Sequence, residues 1–497
     1  AIELAAARAA VLTPGEILNR MADRFGLLSG GRGRHRLRTL QATLDWSYDL
    51  LDEEEQTLFR SLGLFVGSFD LAAAQALATT SEYDTMDLME SLVAKNLVTI
   101  DQSSFGTTRY RLLESVRIYA GDQLVRLDEA GRTQDAYAEY YCDLTTTSDF
   151  VVAGGINRAL RLRADWPNIA AALEHFITES EFETAAGMAF GCQGMWESQL
   201  PATEGRRWTE ALIDQLPPGP QRDWMVYALT MFCIVLDDWI LAHRLLQEMV
   251  DSASPEPRAV AAGTLSFLSC RREPDETLRL AQVGRDLVAA HDLGPAILCP
   301  SAWSEGVHSL YGARFEEARE RFEAAHELSC VGSIETNNFV MTGLALAAAQ
   351  ILTGDPEKAL RTLDSANWSP SVWDSSPILR ALALIDVGRP VEAADLVVGF
   401  GYDALRGRLA RMANDAVVGL AALAINQGDA EHGWKLLQQA ASPRSPVTIG
   451  LAEGLADRIG HGDAMRHMHR GRELPLVELD ATEALYEELT RLRALGI

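Results

Sequence analysis

TLQATLDWSYDLLDEEEQTLFRSLGLFVGSFDLAAAQALA, residues 39–78, carries the pattern on which the fold turns. In its first part Leu40, Leu44, Tyr48 and Leu51 fall on one helical face. Asp52 is placed to cap a second helix, with Glu55 three residues on as in a capping box. Leu58, Phe59 and Leu62 then point inward, and Phe65-Val66-Gly67-Ser68-Phe69 breaks the helix. Asp70 caps a short alanine-rich helix that runs to Ala78.

Working outward, the next helix is predicted over 85–95, with Met86, Met89, Leu92 and Val93 on its apolar side. Leu97-Val98-Thr99-Ile100 and Arg109-Tyr110-Arg111-Leu112 read as strands around the turn-forming Ser103-Ser104-Phe105-Gly106. A helix over 115–127 closes the hairpin with Val116, Tyr119 and Leu124. Helices, a β-hairpin wing and a closing helix make one small winged-helix core over 39–127.

Direct reading of DNA by this module needs a positive surface, because phosphate contacts supply most of the affinity. The helix before the wing offers Asp87 and Glu90 against Lys95 alone. The one basic run, GRGRHRLR at 31–38, lies outside it. A packing and hinge role is therefore favoured over base reading.

These stretches, with LMESLVAKNLV and RYRLLESVRIYA, closely resemble the winged-helix region of bacterial STAND-type regulators. Those are large signal-transducing ATPases related to the NB-ARC proteins, and they include actinobacterial regulators grouped with the LuxR family. AIELAAARAAVLTPGEILNRMADRFGLLSGG, at the start, is similar to the segment that follows the family's Gly-Leu-Pro-Leu motif. The resemblance is close over 1–127. It is looser to 176, where RADWPNIAAALEHF is similar to the family's entry into its helical repeats. It implies that 1–30 is the helical end of a nucleotide-binding module and 31–38 a basic linker. The family's phosphate loop, magnesium-binding strand and Gly-Leu-Pro-Leu motif would all lie upstream, and no G-x-x-x-x-G-K-[ST] pattern occurs here. ATP or ADP with magnesium is thus expected only if an upstream ATPase domain is supplied, and the chain itself is not expected to be an enzyme. The NB-ARC Met-His-Asp motif aligns with Leu112, Leu113 and Glu114, and leucine cannot donate to a phosphate. By this resemblance, Arg32, Arg34, His35, Arg36, Leu113 and Glu114 are the candidates for contact with a nucleotide module. A solvated basic linker is the simpler account of the arginines. Lacking an initial Met and opening inside a motif, the chain is expected to be a piece of a longer protein or a shortened one.

The 497 residues suffice for several domains, and the formal charge of −26 disfavours non-specific binding to nucleic acid or membrane surfaces. Cys142, Cys192, Cys233, Cys270, Cys299 and Cys330 are scattered and form no C-x-x-C pair. Reduced, buried thiols and a cytoplasmic location are expected. No signal-peptide pattern is present, and the longest apolar run, 225–236, is too short for a membrane span.

Residues 128–176 read as connecting helices, with Tyr137, Tyr140 and Tyr141 as core and Trp166-Pro167-Asn168 as a helix start. From 177 to 479 the chain repeats itself. A short turn is followed by a small residue inside an amphipathic helix: Glu181 to Ala185, Asp237 to Ala242, Arg272 to Thr277, Gly312 to Ala318, Gly354 to Ala359, Gly388 to Ala393 and Gly428 to Gly433. From Asp237 onward the spacing is near the roughly 34 residues of tetratricopeptide (TPR) repeats. Small residues let the two helices of a hairpin approach, and each hairpin buries its other face on its neighbours. Residues 480–497 read as a capping helix with Leu485, Leu489 and Leu492. The expected fold is mainly α: a winged helix followed by an α-solenoid of TPR-like hairpins.

His461, His467 and His469 with Asp463 form the densest ligand-like cluster, but no Cys pair or HExxH accompanies it, and a surface loop is the simpler reading. No G-x-S-x-G elbow occurs. Trp196, Trp208, Trp303, Trp368 and Trp373 are the tryptophans to test as a ligand or partner surface on the concave face. Two functions compete. One is a signal-responsive regulator whose winged helix is an intramolecular switch and whose solenoid senses a protein or small-molecule inducer. The other is a stand-alone adaptor that binds protein partners without nucleotide. Either could oligomerise, and neither needs a membrane.

Overall fold

The structure is a computed structural model. Its described residues are 41, 43–101, 108–146, 155–198, 200–236, 238–270, 273–331, 336–365, 375–407, 410–440, 446–470 and 482–494. The chain forms two compact units. One takes the described residues up to Asp143 together with Ala164–His175; the other takes Leu144–Arg163 and Phe176 onward.

In the first unit, α1 (43–49), α2 (Glu53–Leu62), α3 (Leu71–Leu77) and α4 (Glu82–Ala94) precede strands β1 (Thr99–Asp101) and β2 (Arg109–Arg111). Helices α5 (Glu114–Arg126) and α6 (Ala130–Thr146) follow. The Asp52–Glu55 capping box is formed, and Asp70 caps α3 through the Ala73 N–H. Leu58, Phe59, Leu62, Phe65 and Phe69 are buried as the spacing predicts. β1 and β2 pair antiparallel with Ile100 opposite Tyr110, and Phe69 exchanges two backbone hydrogen bonds with Tyr110 at 2.9 and 2.7 Å. The predicted turn 103–106 lies outside the described residues. Gly63 is required: a Cβ there would sit 2.5 Å from the Gly121 nitrogen, where α2 crosses α5.

Two expectations change in this unit. Helix α4 begins at Glu82, capped by the Ser81 hydroxyl, and its buried side is Thr85, Met89 and Leu92. Met86 falls off that stripe and is 47% exposed. Trp166-Pro167-Asn168 does not begin a helix either. It lies in the middle of α7 (Gly155–Thr178), which admits a proline in its interior.

In the second unit the helices pair into hairpins. After α8 (Phe182–Gly191), α9 (Gln193–Ser198) and α10 (Ala202–Ile213) come α11 (Pro220–Val235) with α12 (Trp239–Ser252), and α13 (Pro255–Ser269) with α14 (Pro274–His291). Then follow α15 (Cys299–Tyr311) with α16 (Phe315–Val331), α17 (Thr336–Leu352) with α18 (Pro356–Asp364), and α19 (Ser376–Asp386) with α20 (Pro390–Gly407). The series ends with α21 (Ala410–Asn426) and α22 (Ala430–Gln439), α23 (Pro446–Arg458) and α24 (Gly462–Arg470), and the last helix α25 (Thr482–Ala494).

One turn recurs between paired helices. Gly354, Gly388, Gly428 and Gly460 all have φ near +80°, a backbone state that costs glycine nothing. In each, the following N–H reaches back five residues into the preceding helix, as in Asp355 N to Gln350 O at 2.8 Å and Arg389 N to Leu384 O at 2.8 Å. Ala313 closes the same turn at φ +55° with Arg314 N to Ser309 O at 3.0 Å. The small residues five positions on, Ala242, Ala318, Ala359 and Ala393, are fully buried. The turn at Gly460 was missed in the sequence because Met465 stands in the small-residue position. His461 opens α24 there, so 462–470 is helix and not a surface loop. Leu485 and Leu489 of α25 are buried, and a Cβ on Gly401 of α20 would touch both at 3.2 Å.

Candidate functional site

The site that organises the first unit is a buried polar latch on the wing. The guanidinium of Arg109, on β2, is held in place by α7 and by the loop after α2. Its Nη2 donates to Asp165 Oδ1 at 2.6 Å and its Nη1 to Oδ2 at 3.3 Å, while Nη2 and Nε donate to the Ser68 carbonyl and hydroxyl at 2.6 and 2.9 Å. Both charged side chains are almost fully buried, at 4% and 3% exposure. Burial works against the Arg109 charge, but the hydrogen bond and charge of Asp165 outweigh it and hold the guanidinium protonated.

One helical turn from this pair, Asn168 completes the latch. Its Oδ1 accepts from the Val66 and Gly67 N–H groups at 2.9 and 3.1 Å, and its Nδ2 donates to the Ser68 carbonyl at 3.0 Å. Loop 65–69 joins α2 to α3 with a single bridge, at Phe69, so the backbone groups between have no regular partners, and one amide side chain serves three of them. Pro167 lies against Gly67, where a Cβ would come within 3.3 Å of its ring. Tyr137 donates to Asn168 at 3.2 Å from the other side, and burial pushes the phenols of Tyr137 and Tyr141 above their ordinary range. Phe65 stacks on Phe69 at 4.1 Å and meets Tyr137 at 5.5 Å. The run from Asp165 to Asn168 is thus the part of α7 that holds the wing to the loop after α2.

Smaller ties brace the same unit. Glu55 is buried and accepts from Ser91 Oγ and Lys95 Nζ as well as from the Asp52 N–H at 2.9 Å. Burial alone would raise its pKa; Lys95, Ser91 and Asp52 reverse that and hold the carboxyl below its ordinary range. Arg60 pairs with Glu129 at 2.7 Å and donates to Tyr48 Oη at 2.7 Å.

The surface offered outward is not basic. Glu82, Asp84, Asp87 and Glu90 of α4 are exposed with Tyr83, which is 79% exposed. Lys95 is tied to Glu55 and Arg111 pairs with Asp101 at 3.7 Å. Arg109, which reads in the sequence as a wing arginine, is inside.

The residues proposed from sequence fare unevenly. Arg32, Arg34, His35 and Arg36 lie outside the described residues, as do Trp368 and Trp373. Leu113 is 57% exposed at the start of α5, and Glu114 is held by Arg117 at 3.1 Å. An apolar side chain beside a carboxylate does not suit a nucleotide phosphate, so no step is assigned to one here. Trp196 is a correction: it is fully buried, with its ring 6.0 Å from Phe232, because it fills the core between α9 and α11. Trp303 is half-buried and packs on Phe267 at 4.6 Å, again as core. Trp208 is half-buried with the Arg207 guanidinium 5.8 Å from its ring. The residues that sequence reasoning missed are Arg109, Asp165 and Asn168. The RADWPN run was their only signal.

Residues 51–125 match the family model of the winged helix-turn-helix domain. This chain carries a winged helix. The chain is similar to a Mycobacterium bovis protein named as an HTH-type transcriptional regulator, 39% identical over 222 residues that make up 43% of this chain and 25% of the relative. The regulatory protein AfsR of Streptomyces coelicolor is 34% identical over 117 residues, 23% of this chain and 11% of its own. The chain therefore spans a quarter or less of the length of these regulators. A solved STAND protein with a tetratricopeptide repeat sensor from Pyrococcus horikoshii is similar at a TM-score of 0.46 and 14% identity, over 99% of this chain and 73% of that one. The likenesses to the two regulators agree with the resemblance read from the motifs. Among the described residues no helix is long and apolar enough to cross a membrane.

Proposed function

We propose that this chain is the regulatory part of a STAND-type transcriptional regulator, with the winged helix as an intramolecular switch and the TPR-like solenoid as the sensor of a protein or small-molecule inducer. The observation that carries this reading is the fate of the wing's arginine. Arg109 is buried against Asp165, and the helix before the wing presents four exposed carboxylates. A phosphate backbone would meet negative charge where a DNA reader offers positive charge. In this reading the winged-helix shape serves internal packing; a switch requires an element with two discrete arrangements, and the latch is the candidate for it. On the same reading the chain is not itself an enzyme, and nucleotide would belong to an upstream ATPase domain of the kind the resemblance implies.

Fluorescence anisotropy on a labelled duplex, over a salt series, tests the reading. No binding is expected at physiological salt. Tight binding whose affinity falls steeply with salt, and which Arg111→Ala weakens, would overturn it. Calorimetry with ATP or ADP and magnesium is expected to show no heat of binding.

A further inference from the structure

Several first helices of the solenoid hairpins carry long buried runs. Residues 259–266, 342–351, 413–424 and 448–456 are continuous buried runs. A solenoid with an open groove leaves one side of these helices to solvent, so something covers it. The cover is α23. As the first helix of the last hairpin it packs on its neighbour α21, and it also lies against α15 and α17, four and three hairpins back.

Its contacts follow a helical stripe. Gly450 faces Leu310 near the end of α15, where a Cβ would come within 2.7 Å. Gly454, one turn on, faces Leu352 at the end of α17, where a Cβ would come within 2.1 Å. Arg458, one turn further, donates from both terminal nitrogens to Asp386 at the end of α19, at 2.8 and 2.9 Å. Positions i, i+4 and i+8 of one helix thus meet three successive hairpins in turn. The seat is partly polar: Thr448 donates to the buried Asp415 carboxylate, and Glu453 is only 2% exposed. Buried carboxylates weaken a permanent core and suit an interface that opens.

We infer that the groove across α15, α17 and α19 is a binding site for an α-helix of a partner protein, and that α23 occupies it as a built-in competitor. The partner's helix carries small residues at two positions one turn apart and an arginine or lysine one turn on, matching Leu310, Leu352 and Asp386. This is helix-in-groove recognition with the ligand supplied first by the chain itself. A tethered competitor acts at about millimolar effective concentration, so a partner binds only when it outcompetes α23 or when the hairpin is released. The inference deepens the sensor reading above, since it names what the solenoid would take.

The test uses the full chain and a fluorescent peptide with the sequence PVTIGLAEGLADR, residues 446–458. Gly450→Leu with Gly454→Leu unseats α23 by bulk while leaving the groove intact. The variant is expected to bind the peptide at least about tenfold tighter than the unaltered chain, as removal of a tethered competitor requires. Hydrogen exchange should quicken over 446–470 and stay slow over 336–440. Asp386→Arg in that variant should abolish binding, and a peptide with Glu in place of its final Arg should restore it. Equal binding to both chains, or to neither, overturns the inference. So does exchange that quickens over the whole solenoid together, which would make α23 ordinary core. Failure on these counts leaves the sensor reading standing, because another surface of the solenoid could serve it.

Discussion

The winged-helix unit and the solenoid are held together by opposite means. In the first, the decisive contacts are unique side-chain pairs far apart in sequence: Arg109 with Asp165, Arg60 with Glu129, and Asn168 with the backbone at Val66 and Gly67. In the second, a backbone turn and a small residue recur from hairpin to hairpin. A structure of the first kind depends on the identity of a few residues. One of the second kind depends on a pattern, and it tolerates an imperfect member such as Met465 because its neighbours still pack.

That difference can be broken or sharpened by substitution. The largest effect is expected at Asp165→Ala, which leaves a buried guanidinium uncompensated. The loss should be about 3–5 kcal/mol in denaturant unfolding of the winged-helix transition, and Arg109→Met with Asp165→Leu should recover most of it. Asn168→Ala strands three backbone groups, at an expected cost of about 1–3 kcal/mol in the same transition. In the solenoid, Gly306→Ala forces a Cβ to within 2.5 Å of the Phe322 ring. The strain should be about 1–3 kcal/mol and confined to the solenoid transition. Smaller still are the turns. Gly354→Ala should cost about 1 kcal/mol, while Ala313→Gly, which relieves a positive φ, should gain a few tenths, both read from thermal midpoints. If Gly354→Ala costs as much as Asp165→Ala, the contrast between the units fails.

The smallest effect is a pH dependence. Burial lowers the pKa of His326, whose Nδ1 lies 3.2 Å from Thr342 Oγ1, and also that of His308. Each histidine is neutral in the folded chain and takes up its proton more readily when unfolded. Their contribution is therefore whole above the ordinary histidine pKa of 6.5 and is lost as the pH falls from there through the lowered folded value. His326→Gln should flatten the solenoid's stability profile in that window and leave the winged-helix transition unmoved.

What the sequence disclosed follows the same division. Caps, turns and helical faces are local, so Asp52, Glu55, Asp70 and the glycine turns could be read directly. The small-residue positions followed from the repeat. Met86 misled because Met86, Met89 and Val93 and the observed Thr85, Met89 and Leu92 are overlapping stripes at the same helical spacing, and a threonine does not mark itself as the buried one. Trp196 misled because an aromatic at helical spacing looks the same whether it faces core or groove. The latch could not be read at all: nothing at Arg109 points to Asp165, and only three-dimensional packing joins them. The occupied groove was equally hidden, since glycines at 450 and 454 gain their meaning from leucines a hundred or more residues earlier.

The latch also sets an order of events during synthesis. The wing and loop leave the ribosome first, yet the aspartate and asparagine that complete them are made dozens of residues later. Until Asn168 has emerged, the Val66 and Gly67 amides lack the acceptor they have in the folded unit. The nascent winged helix must wait with that loop open, where a chaperone or a neighbouring chain can reach it. A gene truncated just after the closing helix of the wing would leave it waiting permanently.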